Sequence, residues 1–121
     1  KTTATAWTDN DFDMELNEYQ DRAMRTAIYE TLPVVYPALG LAGEAGEVAD
    51  KVKKTIRDKG GNFTDETVKS EIAKELGDVM WYLAATARDL GYTLEEIAEM
   101  NLAKTRSRAS RDRVHGSGDN R

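Results

Sequence analysis

The sequence predicts an all-α protein, a four-helix bundle, and three observations carry that prediction. Apolar residues recur at three- and four-residue spacing over four stretches. Gly60-Gly61, Gly91, Pro33 and Pro37 fall between those stretches or at their starts, where helices begin and end. No run shows the strict alternation of a half-buried strand. Helices joined by connections this short pack most simply as a bundle.

Helix one is expected from about Phe12 or Met14 to Tyr29, with Leu16, Tyr19, Ala23, Ala27 and Ile28 spaced for one apolar face. Residues 1–11 show no periodicity and read as a flexible lead-in. Pro33 closes the next loop, and Pro37 suits the first turn of helix two, where a missing amide hydrogen costs nothing. That helix should end near Asp58, ahead of Gly60-Gly61-Asn62. Its stripe is Leu41, Ala45, Val48, Val52 and Ile56, with Glu44, Glu47, Lys51, Lys54 and Asp58 on the flank. Gly43 and Gly46 each cost a helix about 1 kcal/mol against alanine, which implies that a neighbouring helix or a ligand comes close there.

Thr64 or Asp65 is the expected N-cap of helix three, which runs to about Leu90 and stops at Gly91. Ile72, Leu76, Val79, Leu83 and Leu90 form its stripe, flanked by Glu71, Glu75, Asp78 and Tyr82. Trp81 is expected to point away from that flank. With Met80, Ala84 and Ala85 it makes the helix apolar nearly all round, so a second surface should be covered, most simply by another copy of the chain. Thr93-Leu94-Glu95-Glu96 is a capping box opening helix four, which sends Leu94, Ile97, Ala98 and Leu102 inward and reaches Arg108 or beyond. Residues 109–121 are expected to form a basic tail, with His115-Gly116-Ser117-Gly118-Asp119-Asn120-Arg121 a flexible loop by composition.

A chain of 121 residues fits a single all-α domain over 1–121. With no cysteine, disulfide staples and thiol catalysis are excluded, and a cytoplasmic setting is expected. No run is long and apolar enough for a membrane span, and the first residues lack the apolar stretch of a secretion signal. The net charge of −5 divides unevenly: residues 104–121 carry +4 and residues 1–103 carry −9. Such a tail either reaches for an external polyanion or folds over the acidic body to hold a phosphorylated ligand. The tail lacks the aromatics that stack bases, so the second reading is favoured and a nucleic-acid partner is disfavoured.

Two acidic segments carry the chemistry, Glu44-Ala45-Gly46-Glu47 and Glu75-Leu76-Gly77-Asp78. Carboxylates three residues apart share one helix face, so two such helices packed flank to flank would aim four acids at a small volume. That much negative charge requires a cation. Carboxylate oxygens without thiols, and with His115 the one imidazole, favour Mg²⁺ or Mn²⁺ over zinc. The plain alternative is two solvated faces with ordinary ion pairs such as Glu47 with Lys51.

Leu39-Gly40-Leu41-Ala42-Gly43-Glu44-Ala45-Gly46-Glu47-Val48, then Lys53-Lys54, then Glu75-Leu76-Gly77-Asp78-Val79-Met80-Trp81-Tyr82-Leu83 resembles the MazG-like nucleoside triphosphate pyrophosphohydrolases, in the all-α group related to dimeric dUTPases. The resemblance runs from about Tyr19-Gln20 through Asn101 and Lys104, and both halves of the family's Glu-x-x-Glu and Glu-x-x-Asp pattern are intact. It implies Mg²⁺-dependent hydrolysis of a ribo- or deoxynucleoside triphosphate to the monophosphate and pyrophosphate. By position Glu44, Glu47, Glu75 and Asp78 match metal ligands, and Tyr82, Asn101 and Lys104 match residues that approach the nucleotide. Lys51 or Lys54 could reach the phosphates, and Glu44 or Glu47 could take the proton from the attacking water. The resemblance also implies a homodimer or a homotetramer built from dimers.

Two functional classes follow: the hydrolase, and a catalytically silent helical module that binds nucleotides or alarmones. Pyrophosphate release separates them. Tyr82 also has a bland reading as a core residue, Trp81 as core or interface before a base-stacking platform, and Asn101 and Lys104 as a polar helix end.

Overall fold

A computed structural model of the chain describes residues 14–111 and 115–120, and among them there are four helices and no strand. They are α1 (Leu16–Met24), α2 (Val35–Lys59), α3 (Glu66–Asp89) and α4 (Leu94–Ser110). Among the described residues, no helix is long and apolar enough to cross a membrane. The expected lead-in over residues 1–11 lies outside the described residues.

α1 is shorter than its periodicity suggests. The last turn tightens as the Thr26 and Ala27 amides donate to the carbonyls three residues back, Ala23 at 3.0 Å and Met24 at 3.2 Å, and the Thr26 hydroxyl adds a bond to Ala23 at 2.7 Å. Ala27 and Ile28 consequently lie outside the helix, and Ile28 is 91% exposed. The chain then makes a strained entry to α2. Leu32 and Val34 hold positive φ angles of 54° and 69°, and the Val35 amide donates to the Pro33 carbonyl at 2.7 Å across a three-residue turn. Asp89 at the end of α3 secures that turn by accepting from the Val34 amide at 2.9 Å and from the Tyr29 hydroxyl at 2.8 Å.

The other boundaries follow local signals. α2 ends at Gly60, left-handed at φ 62°, and the Gly61 amide donates to the Thr55 carbonyl at 3.1 Å. Asp65 caps α3 by accepting from the amides of Thr67 and Val68. The Thr93–Glu96 capping box opens α4 as expected.

α2 and α3 form an antiparallel hairpin. Contacts run in opposite order along the two helices, from Val34 with Asp89, through Gly40 with Tyr82, to Lys51 with Glu71. The facing residues match the expected stripes only in part. A buried or half-buried seam runs through Pro37, Glu44, Val48, Lys51 and Thr55 on α2 and through Val68, Ile72, Glu75, Val79 and Tyr82 on α3, and Leu41 and Val52 of the expected α2 stripe are half-buried too. This is a seam with alternating three- and four-residue steps, and the polar flank lies in it. Members of the expected stripes are left outside: Ile56 is 60% exposed, Leu76 53% and Leu90 56%. Gly43 and Gly46 have no neighbour within the chain that a Cβ would meet, so the close approach occurs at Gly40 instead.

A small core of Ala84, Ala87 and Leu94, with Tyr19, Met24 and Ile97 against it, joins α1 and α4 to the C-terminal half of α3. Gln20 is the polar centre of that junction. Its amide donates to the carbonyls of Ala84 at 3.2 Å and Tyr92 at 3.1 Å, and its oxygen accepts from the Leu94 amide at 3.1 Å. One buried side chain thus satisfies three backbone groups, including a helix N-terminal donor. At the other end of α4 the tail turns back. Asp119 meets Lys104 at 3.1 Å and Arg108 at 3.6 Å, so these basic residues hold the tail's own carboxylate.

Candidate metal and nucleotide site

The seam brings three acids together. Glu44 of α2 and Glu75 and Asp78 of α3 each place one carboxylate oxygen within 4.8 Å of the others. Opposite oxygens around an octahedral Mg²⁺ stand about 4.2 Å apart, so small side-chain adjustments would let this set hold such an ion. An all-carboxylate donor set also suits a hard cation. The electrostatics agree. Partial desolvation raises the Glu44 carboxyl above its ordinary value, and the charges of Asp78, Glu75 and Glu47, with a hydrogen bond to Glu75, push the same way.

Glu47, one turn beyond Glu44, is exposed and lies outside the trio, although its charge is felt at Glu44. Lys51 reaches across the hairpin to Glu71 at 3.4 Å and Glu75 at 3.7 Å, which puts a cation on the edge of the cluster. It does not pair with Glu47 as the plain reading had it. Lys54 turns away to Asp50 at 2.8 Å, and Lys53 and Lys54 together draw the Asp50 pKa down to about 2.

A cavity of about 340 Å³ opens beside the acids, lined by Glu44, Asp78, Trp81 and Tyr82. Trp81 therefore faces the acidic side, contrary to the sequence expectation. The signal was present, because Trp81 follows Asp78 by three residues and shares its face. The Trp81 indole donates to the Thr26 hydroxyl at 3.0 Å and meets the Tyr82 ring edge to face, centroids 5.1 Å apart. Tyr82 is flat against α2 because Gly40 has no side chain, and it leans on Tyr36, which stacks on Tyr29 at 5.1 Å. Desolvation raises the Tyr82 hydroxyl pKa, as do Tyr36, Glu44 and Asp78. Sequence reasoning missed Tyr36 and Gly40, whose importance depends on the register of the hairpin.

Asn101 and Lys104 are not brought to this cavity within the chain. Asn101 borders an apolar groove with Met80, Leu83 and Ile97, and Lys104 is held by Asp119. A further cleft of about 200 Å³ lies along the hairpin between Lys51, Thr55 and Glu71, away from the trio of acids.

Comparison with known proteins gives a concordant picture. The profile of the MazG nucleotide pyrophosphohydrolase domain matches residues 37–111, a span that includes all four acids. The chain is 44% identical over 115 residues to the "Gene 37 protein" of Mycobacterium phage L5, covering 89% of this chain and 100% of that protein. No solved structure matches.

Proposed function

The chain belongs to the MazG nucleotide pyrophosphohydrolase family, and from that premise we propose that it hydrolyses a ribo- or deoxynucleoside triphosphate to the monophosphate and pyrophosphate with Mg²⁺, or Mn²⁺ in its place. The observation that carries this reading is the convergence of Glu44, Glu75 and Asp78 beside an open cavity. A bound divalent cation would neutralise the phosphate chain and make a coordinated water more acidic. Glu44, Glu75 and Asp78 are the residues to hold it, with Glu47 completing the set by a rotamer change. Glu47, or a Glu44 oxygen not used as a ligand, would accept the proton from the attacking water. Lys51 is one ion-pair exchange away from the phosphates. Tyr82, with Tyr36 packed behind it, walls one side of the cavity.

Leu76, Met80 and Leu83 along α3 are exposed at 53%, 41% and 38%. Patches of this kind mark contact surfaces, and we assign this one to a second copy of the chain. In such a homodimer or homotetramer, Asn101 and Lys104 would serve the partner's nucleotide rather than their own chain's.

The test is pyrophosphate release from each ribo- and deoxynucleoside triphosphate with Mg²⁺ and with Mn²⁺. Release from at least one substrate, lost in Asp78→Asn with helix content unchanged, supports the hydrolase. Tight nucleotide binding without turnover under either metal would replace it with the silent binding module.

A further inference from the structure

A second groove adjoins the acidic cavity. It lies between α1 and α3, has a volume of about 400 Å³, and is lined by Met14, Tyr19, Arg22, Ala23, Thr26 and Trp81. Trp81 belongs to both spaces, so a ligand passing from the acids across the indole enters the groove directly. We infer that this groove receives the base of the nucleotide, with Trp81 as its stacking surface and as a determinant of nucleotide affinity.

The groove is largely apolar with polar groups at its margin, the composition that suits a flat heterocycle. The Arg22 guanidinium, paired with Glu18 at 2.9 Å, and the Tyr19 hydroxyl border it and offer hydrogen-bonding groups to ring edges. Trp81 is also fixed before any ligand arrives. Its Nε1 donates to Thr26 Oγ1, and that hydroxyl in turn donates to the Ala23 carbonyl, so the terminal turn of α1 sets the plane of the indole. A ring held in this way loses little freedom when a base stacks on it. The polarity of the ligand follows from charge: phosphates belong at the acids through a cation, and the uncharged end belongs in the groove. The inference rests on the proposed hydrolase reading only for that orientation.

The chain has two tryptophans, so Trp7→Phe leaves Trp81 as the one indole reporter. In that background and in EDTA, nucleoside 5′-monophosphates should quench Trp81 emission saturably, and deoxyribose 5-phosphate should not. In steady-state pyrophosphate release, Trp81→Leu should raise KM about tenfold or more with kcat little changed, the size of one lost stacking contact. Trp81→Phe, which keeps a ring, should recover most of that loss, and Thr26→Val, which frees the indole and removes the hydroxyl's bond to Ala23 but keeps the stacking ring, should raise KM less than Trp81→Leu. Circular dichroism checks the fold of each variant, and Thr26→Val and the quenching assay carry the test if Trp81→Leu does not fold. Unchanged emission at saturating nucleotide, or an unchanged KM in Trp81→Leu, overturns the base groove and leaves the hydrolase standing. Absence of turnover with every triphosphate removes the hydrolase, while base-dependent quenching in EDTA would still support the groove.

Discussion

Tyr82 occupies the space that a side chain on Gly40 would need. A Cβ at position 40 would fall 2.6 Å from the ring Cζ and closer still to Cε1, a separation that carbon atoms do not tolerate. Tyr82 borders the acidic cavity, so this one hydrogen on α2 fixes a cavity wall on α3.

Gly40→Ala should therefore displace the Tyr82 ring and destabilise the fold by about 1–3 kcal/mol, the usual cost of overpacking. Nucleotide KM should rise with it. Gly43→Ala is the control, because a Cβ there meets nothing within the chain. Denaturant unfolding and pyrophosphate-release kinetics on the two variants check both statements.

Divalent cations should stabilise the protein, since they relieve repulsion among Glu44, Glu75 and Asp78. At a concentration one hundred times its Kd, a ligand specific for the folded state adds about 2.7 kcal/mol. Thermal melts with and without Mg²⁺ at fixed pH should show a higher Tm with the ion, and Asp78→Asn should reduce the increment. Equal melting temperatures across a Mg²⁺ titration would argue against a metal site.

Gln20→Leu should cost about 2–5 kcal/mol, because it leaves the Ala84 and Tyr92 carbonyls and the Leu94 amide without their partner in a buried junction. Hydrogen exchange should report the loss first at Leu94, where α4 begins.

Acid stability should depend on Asp89. Desolvation pushes its carboxyl up, but the Val34 amide, the Tyr29 hydroxyl and Arg88 outweigh that and hold it below the ordinary carboxylate range. A carboxyl depressed in the folded state contributes stability above its unfolded pKa of about 3.9 and loses it as pH falls through the lower folded value. Denaturant midpoints should accordingly drop below about pH 4, and Asp89→Asn should be less stable at pH 7 with a shallower acid limb. The same variant loosens the Val34 turn, where the positive φ needs its carboxylate contact.

Signals confined to a few neighbouring residues were legible. The Thr93–Glu96 box, the Asp65 cap and the glycines at 60 and 91 work through adjacent backbone groups, and each marks the boundary it was expected to mark. The all-α class follows from periodicity, which survives small errors in phase. The phase was legible only in part: Leu41, Val48, Val52, Ile72 and Val79 of the expected stripes are half-buried. The same stripes include Leu76, Leu83 and Ile56, which are exposed, whereas the hairpin buries Thr55 and half-buries Glu44, Lys51 and Glu75. A protein that assembles functional acids in its seam departs from the hydrophobic rule there. Trp81 was misplaced for the same reason, although its spacing from Asp78 pointed correctly. The end of α1 is a backbone tightening at Thr26 and Ala27, joined by the Thr26 hydroxyl on Ala23, which periodicity does not display.

The antiparallel register of α2 against α3 has a mechanical consequence. The three carboxylates come from the interiors of two long rigid rods, tied at one end through Val34 and Asp89 and joined at the other by the Gly60-Gly61 corner. The backbone thus holds the three acids near one another, and side-chain rotation is the freedom left for repulsion to use. A divalent ion would need to draw the oxygens together by that rotation alone, with no movement of the helices.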